Sequence, residues 1–141
     1  MKAIYTAEVT SIGGREGHIR SSDGVIDLDV KKPQAMGGKE DGYTNPEQLF
    51  AAGYSACFNG ALVHVALLRR LRITPSVKAY VSIGNKEEGE GFMLAVTMEV
   101  NIPGVDKKTA DELAYEADQF CPYSNAIRGN VDTTILVTNK E

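Results

Sequence analysis

The sequence of 141 residues has little of what several classes of protein depend on. It has no tryptophan, only two cysteines and two histidines, and its 15 Lys and Arg residues are outnumbered by 19 Asp and Glu, for a net charge of -4. A chain without a positive excess has no large electrostatic footprint for a phosphate backbone, so nucleic acid is not an expected partner. Two cysteines are too few for the disulfide framework of a small secreted protein.

The sequence alone also shows neither the pattern of a membrane span nor that of an export signal. No unbroken apolar run approaches the 18 or more residues of a membrane span, and residues 1–10 alternate polar and apolar side chains, unlike a signal peptide. We therefore expect a cytoplasmic protein with no membrane partner. A permanent structural disulfide is not expected in the reducing cytosol, so a pairing of Cys57 with Cys121 would be catalytic.

The residues that are present are typical of one globular domain. Hydrophobic residues make up 43% of the chain and charged residues 24%, which excludes intrinsic disorder and collagen-like architectures. The length suits a single domain, and no repeat or low-complexity tract divides it. We expect one domain spanning residues 1–141.

Alternation of apolar and polar residues predicts strands in three parts of the chain. Strands are expected within residues 1–30, with a turn at the Ser-Ser-Asp-Gly of residues 21–24, as a hairpin over 76–101, and as a last strand over 131–138. Residues 31–44 are rich in Gly, Pro and charge and are expected to be a connecting loop.

Two helices are predicted. Residues 45–48 (Asn-Pro-Glu-Gln) supply an N-cap, a proline at the first helical position and an acid in the first turn, so a long helix should cover 45–71. That helix is apolar nearly all round and is expected to be buried centrally, while Gly53 leaves its continuity open. The second helix is expected to begin at its cap, Asp106, to cover 106–121 and to end where the proline of a Pro-Tyr-Ser-Asn turn follows. The expected fold class is α+β, with antiparallel sheets of about six strands packed with the two helices.

Each of the two cysteines falls on the apolar stripe of a predicted helix. Cys57 lies on the long helix, and Cys121 ends the stripe of the second helix beside Pro122. A single cysteine on such a face is most simply a small buried hydrophobe. One thiol on each of only two helices also fits a reacting pair, and the pattern alone leaves both interpretations open.

A reactive thiol needs a nearby cation, because the thiolate is the nucleophile and a free thiol with a pKa of about 8.5 is only a few per cent ionised at neutral pH. Arg15 is the candidate, since flanking glycines let its backbone approach another element, although an exposed arginine in a hairpin turn explains the same residues. Glu47 is a first-turn carboxylate stabilised by the helix dipole, and it could also grip the Arg15 guanidinium at two points. Glu47 and Cys57 lie about 280° apart around an ideal helix, so Arg15 would have to bridge them or Gly53 would have to bend the helix.

The remaining candidates are weaker. His64 lies two turns after Cys57, too far for a Cys/His nucleophilic pair, and His18 is expected to be exposed on a hairpin. No CxxC or HxxxH pair seeds a metal site, so we expect neither a metal nor another cofactor. Three aromatic residues near the cysteines are core residues or line a site for an apolar substrate: Tyr54, Phe58 and Tyr123.

Several of these segments together resemble one family. Residues 45–61 (NPEQLFAAGYSACFNGA) and 121–126 (CPYSNA) resemble the organic hydroperoxide resistance proteins, the Ohr branch of the OsmC/Ohr family. The segments GGREGH at 13–18 and SSDG at 21–24, and the Met-Gly-Gly loop at 36–38, are similar to the same branch, so the resemblance covers essentially the whole chain. The OsmC branch has a similar helix motif, but the Gly-Gly-Arg turn and the Cys-Pro-Tyr-Ser ending fit Ohr better.

The resemblance implies a thiol peroxidase that reduces organic and lipid-derived hydroperoxides to alcohols, as an intertwined homodimer with two active sites at the subunit interface. It implies that Cys57 is the peroxidatic cysteine and Cys121 the resolving cysteine, with Arg15 and Glu47 flanking the thiolate. Recycling by a dithiol such as the dihydrolipoyl group of a lipoylated protein is implied in the same way. The hairpin within 77–100 matches no motif of the family, so the preferred substrate length stays open.

Two functions of other classes remain open at this point. A non-catalytic redox sensor or binder of a hydrophobic ligand would use the same two cysteines to switch a surface, although no helix-turn-helix is visible to be switched. A structural role with inert buried thiols predicts slow thiol labelling of the folded protein.

Overall fold

A computed structural model describes all 141 residues, with two three-stranded sheets and three α-helices. This composition confirms the predicted α+β fold class. The chain divides into two compact units, Met1–Leu49 and Phe50–Glu141. That the whole chain forms a single domain stays a prediction.

The first unit contains an antiparallel meander of strands β1 (Val9–Ile12), β2 (Gly17–Ser21) and β3 (Asp27–Val30), in that order across the sheet. The sequence predicted that the strands within 1–30 begin near the start of the chain, but residues 1–8 form none. The reason is that Val9 already pairs with the last residue of β2, so the chain before Val9 has no strand beside it.

The turn between β1 and β2 depends on glycine. Gly13 and Gly14 adopt positive φ values of 79° and 57°, which other residues rarely take, and a 3₁₀ turn over Gly14–Glu16 follows. At Gly17 a Cβ would lie 1.8 Å from the carbonyl oxygen of Ile12, so only glycine fits there. These glycines hold Arg15 at the tip of the hairpin.

The connection from β3 to the first helix is attached at both ends. Thr44 forms an isolated bridge with Val30, and the Lys31 N–H donates to the Thr44 carbonyl at 3.0 Å. Helix α1 (Pro46–Leu68) begins two residues later. The Asn45 side chain accepts the Gln48 N–H at 2.9 Å, so Asn45 is the N-cap that the sequence predicts.

Helix α1 is continuous over 23 residues, so Gly53 does not interrupt it. One face of the helix is buried, and its residues follow helical spacing: Tyr54, Phe58, Ala61, Leu62, Val65 and Ala66. Val63, Leu67 and Leu68 remain exposed. The chain thus covers only one side of a helix that is apolar nearly all round.

By length and composition, α1 is the one helix that could cross a membrane. The expectation from the sequence concerned an unbroken apolar run of 18 or more residues, which the chain lacks, whereas this criterion averages hydropathy over the helix. Residues such as Ser55 and Asn59 break the apolar run but add no charge, so the helix stays apolar on average. The central helix of a soluble protein passes the same test, and the buried face of α1 packs into the protein core.

The second unit contains strands β4 (Ser76–Asn85), β5 (Phe92–Asn101) and β6 (Asp132–Thr138), in that order. Strands β4 and β5 form the predicted antiparallel hairpin, but β6 runs parallel to β5. The expectation of antiparallel sheets throughout is wrong for this strand. Helices between β5 and β6 return the chain along the sheet, so both strands run the same way.

Those helices are α2 (Lys107–Phe120) and α3 (Pro122–Ile127). Asp106 caps α2 as expected, accepting the Thr109 N–H at 2.9 Å. Helix α3 was expected to be a turn, but the proline that ends α2 also suits the first position of a new helix. The core of the second unit lies between α1, α2 and the inner face of β5.

Candidate active site

The two cysteines lie together in the second unit. Their Sγ atoms are 3.6 Å apart although 64 positions separate the residues. Cys57 is on α1 and partly exposed, whereas Cys121 is fully buried at the junction where α2 ends and α3 begins. Both thiols are free. The structure thus brings together the two residues that sequence reasoning singled out as a pair.

Burial raises the pKa of the Cys57 thiol above its ordinary value, and the contact with Cys121 raises it further. The backbone N–H of Tyr123 acts in the opposite direction, since it hydrogen-bonds to the Cys57 sulfur and stabilises the thiolate. The net direction of the pKa is upward. The thiol form is therefore favoured at neutral pH by the surroundings within this unit, and a reactive Cys57 needs a further stabilising charge.

Three aromatic rings pack against one another next to the cysteine pair. The rings of Tyr54 and Tyr123 are stacked with centroids 6.0 Å apart, and Phe50 meets both rings edge-on at 6.1 and 6.4 Å. Gly53 leaves room for this packing, because a Cβ there would lie 2.9 Å from the Tyr123 hydroxyl oxygen. Sequence reasoning did not single out Phe50, and it considered Gly53 only as a possible break or bend in the helix, although a glycine inside a strongly predicted helix is also a signal of close approach.

The three aromatic residues predicted to line a site differ in exposure. Tyr54 and Phe58 are fully buried in the core of the second unit, with ring centroids 6.4 Å apart. Tyr123 is 41% exposed and lies beside the cysteine pair. Within this chain, Tyr123 is the residue of the three that an incoming ligand can reach.

Tyr54 has a polar contact that the sequence does not reveal. Its hydroxyl shares a hydrogen bond of 2.9 Å with Ser124 Oγ, between residues that are 0% and 2% exposed. Burial also raises the pKa of Tyr54, so the phenol stays protonated. Sequence reasoning missed Ser124 because a serine after Pro-Tyr is equally typical of an exposed turn.

In the first unit, Arg15 and Glu47 form a two-point contact. Arg15 Nη1 donates to Glu47 Oε2 at 2.8 Å, and Nη2 donates to Oε1 at 2.6 Å. The hydrogen bonds raise the pKa of Arg15 and lower that of Glu47, so both groups stay charged. The sequence left this contact open as a second role of Glu47, and the role of the pair beside a thiolate stays a prediction.

The two histidines lie elsewhere. His18 on β2 has one ring nitrogen 2.6 Å from Asp27 and the other 2.7 Å from Asp29, and both carboxylates raise its pKa. The His64 ring stacks on Phe120 with centroids 4.4 Å apart. No group of three or more His, Cys, Asp or Glu side chains has an arrangement that could hold a metal ion.

Comparisons with known proteins agree on one family. Residues 38–136 match the family described as OsmC-like protein. The chain is 50% identical to the organic hydroperoxide resistance protein OhrB of Bacillus subtilis over 94% of this chain and 97% of that protein. It is 45% identical to the organic hydroperoxide resistance protein of Xanthomonas axonopodis pv. citri over 96% of each chain.

A solved structure gives the same result. The crystal structure of an organic hydroperoxide resistance protein from Elizabethkingia anophelis matches with a TM-score of 0.94 and 46% identity, over 99% of this chain and 100% of that chain. The resemblance found in the sequence is therefore confirmed, and the chain belongs to the OsmC/Ohr family.

Proposed function

We propose that this protein is a cysteine-based peroxidase that reduces organic hydroperoxides to alcohols. Relatives at 45% and 50% identity are organic hydroperoxide resistance proteins, which supports a role in defence against organic peroxides. The observation that carries the proposed chemistry is the 3.6 Å separation of the Cys57 and Cys121 sulfur atoms.

In the first step the Cys57 thiolate attacks the terminal oxygen of the hydroperoxide. A sulfur–oxygen bond forms, the oxygen–oxygen bond breaks, and an alkoxide leaves and takes a proton to become the alcohol. Cys57 becomes a sulfenic acid, oxidised by two electrons. Cys57 suits this role better than Cys121, because it is partly exposed while Cys121 is fully buried.

In the second step the Cys121 sulfur attacks the Cys57 sulfenic acid. A disulfide forms, and the hydroxyl group leaves as water with the thiol proton. The sulfur atoms have to approach from 3.6 Å to about 2.0 Å. A dithiol such as a dihydrolipoyl group then reduces the disulfide by exchange and is itself oxidised to a cyclic disulfide.

Arg15 is proposed to stabilise the Cys57 thiolate and the departing alkoxide, and Glu47 to hold the guanidinium in place. The support is the match of both residues to the family pattern, together with their two-point contact. The raised pKa of Cys57 within its own unit is a further reason for this assignment, because a thiolate that attacks at neutral pH then requires a nearby positive charge.

The working protein is proposed to be a cytoplasmic homodimer that prefers apolar hydroperoxides. Val63, Leu67 and Leu68 leave an apolar side of α1 exposed, which a second chain would cover. The exposed ring of Tyr123 beside the cysteine pair supports an apolar substrate.

The test is a free-thiol count and a mass measurement on fully reduced protein after one equivalent of cumene hydroperoxide, beside one equivalent of hydrogen peroxide. We expect rapid loss of two thiols and of two hydrogen atoms of mass, faster with the organic peroxide. Cys121→Ser should stop at the sulfenic acid, and Cys57→Ser should keep its remaining thiol. Unreacted thiols with both oxidants, or full peroxidase activity in Cys57→Ser, would overturn the proposal.

A further inference from the structure

We propose that the buried hydrogen bond between Tyr54 and Ser124 positions Cys121 for the disulfide-forming step. The inference rests on the proposed function and assigns it two positioning residues. Neither hydroxyl is needed for the attack of Cys57 on a peroxide, so the pair acts through the placement of helix α3.

The hydrogen bond and the thiol pair join the same two elements. Tyr54 lies three residues before Cys57 on α1, and Ser124 lies three residues after Cys121, the N-cap of α3. Residues three apart on a helix are neighbours about one turn apart. Helix α3 is therefore held against α1 by the 2.9 Å hydrogen bond and the 3.6 Å sulfur contact, in addition to the packing of the Tyr123 ring on α1.

Helix α3 needs such a restraint. It has six residues, and a helix of that length has little stability of its own in water. The side-chain hydrogen bonds between this segment and the end of α2 are exposed: Asn125 donates to the Gln119 carbonyl, and Arg128, the C-cap of α3, donates to the Asp118 side chain and carbonyl. The Tyr54 contact is the buried one, and a buried hydrogen bond resists opening because its partners would be left without water.

The placement of Cys121 depends on the direction of α3. Cys121 has extended backbone angles, φ -66° and ψ 121°, between two helices, so a rotation of α3 would turn its side chain away from Cys57. A cavity of about 210 Å³ adjoins Tyr54, Ser124 and Arg128 and gives the residues of α3 room to shift once the hydrogen bond is lost. The buried pair thus holds the resolving thiol at the distance that condensation requires.

The main variant is Ser124→Ala, examined in single-turnover reactions with cumene hydroperoxide. Oxidation of Cys57 should keep about its wild-type rate, while formation of the disulfide should slow about tenfold, the effect of losing one hydrogen bond. The longer-lived sulfenic acid would meet a second peroxide, so sulfinic acid on Cys57 should appear at about tenfold lower peroxide concentration. A purely structural loss would reduce both steps together and leave their ratio unchanged.

Matched variants distinguish the effect of losing the Ser124 hydroxyl from a general effect of substitution on the fold. Ser55→Ala removes another α1-associated hydroxyl, one that donates to the Ala52 carbonyl of its own helix, and both rates should stay at wild type. Ser124→Thr keeps a hydroxyl and should restore rapid disulfide formation. Tyr54→Phe should slow disulfide formation as Ser124→Ala does, and the double variant should be no slower than either single one, since a single contact is lost.

Failure of the proposed peroxidase function and failure of the positioning role give different experimental results. If wild-type protein forms neither sulfenic acid nor disulfide, the proposed function is wrong and the inference falls with it. If wild-type protein forms the disulfide and Ser124→Ala forms it equally fast, with no earlier sulfinic acid, the positioning role is wrong while the peroxidase stands. Should Ser124→Ala not fold, the comparison of Tyr54→Phe with wild type decides by the same two readouts.

Discussion

The guanidinium of Arg15 and the carboxylate of Glu47 meet through two parallel hydrogen bonds of 2.8 and 2.6 Å. The two residues come from a glycine-rich hairpin turn and from the first turn of α1, which is 32 positions further along the chain. Paired planar groups fix each other's orientation as well as their charge. This contact therefore fixes the position of the positively charged Arg15 guanidinium within the first unit.

Replacing Arg15 by alanine should slow the alkylation of Cys57 at neutral pH. If Arg15 lowers the pKa of the thiol by two units, the thiolate is stabilised by about 2.7 kcal/mol, and its loss should slow alkylation more than about tenfold at pH 7. The measurement is the rate of iodoacetamide labelling of Cys57 against pH. Arg20→Ala, an exposed arginine on β2, is the control and should behave as wild type. Identical pH profiles for Arg15→Ala and wild type would remove Arg15 from the mechanism.

The Arg15–Glu47 pair should stabilise the fold only while Glu47 is ionised. The pKa of Glu47 is lowered in the folded protein, so its contribution is present above the unfolded value of about 4.3 and is lost as pH falls through the folded pKa. Urea unfolding of wild type and Glu47→Gln should show a difference in free energy of unfolding at pH 7 that shrinks below pH 4. A difference that stays constant over this range would contradict the linkage.

His18 should titrate above its ordinary pKa. Both ring nitrogens face carboxylates, which accept but cannot donate, so the arrangement requires the doubly protonated ring. Its stabilising contribution is full below the unfolded pKa of about 6.5 and is lost as pH rises through the raised folded pKa. NMR titration of the ring should give a midpoint above 6.5, and Asp29→Asn should lower it. A midpoint at or below 6.5 in wild type would show that the ring is not held by the two aspartates.

Replacing Gly53 by alanine should stabilise the protein less than replacing Gly60, which lies on the same helix. In a helix interior, alanine is more favourable than glycine by about 1 kcal/mol. A Cβ at Gly60 meets no atom within 4 Å, so Gly60→Ala should raise the free energy of unfolding. At Gly53 the Cβ would meet the Tyr123 hydroxyl at 2.9 Å, so the ring has to move and part of that gain is lost. Urea unfolding of both variants measures the difference. Equal gains would mean that the Tyr123 ring is not held against α1.

Local signals made much of this structure predictable. The Asn45 cap, the Asp106 cap and the alternation of β4 and β5 depend on neighbouring residues, and the structure shows both caps and the hairpin. The direction of β6 was not predictable in this way, because alternation reports one buried face and not the sense of pairing. Helix α3 was missed because proline both ends one helix and begins another.

The candidate site was predictable only in part for a similar reason. Cys57 and Cys121 carry chemistry that stands out in any sequence, and helical spacing pointed both thiols inward. Ser124 and Gly53 act through a partner far along the chain, the one by a hydrogen bond across 70 positions and the other by leaving room for a ring. Such roles have no local pattern, so three-dimensional contacts were needed to find them.

The long separation between the two cysteines has a thermodynamic consequence of its own. A bond between Cys57 and Cys121 closes a loop across 64 positions, and a loop of that size restricts the unfolded chain enough to favour the folded state by about 4 kcal/mol in the chain-entropy account. Each turnover would then alternate the protein between a more and a less heat-resistant form. The melting temperature itself would report the redox state, and by the same linkage a loosened fold would shift the balance toward the dithiol.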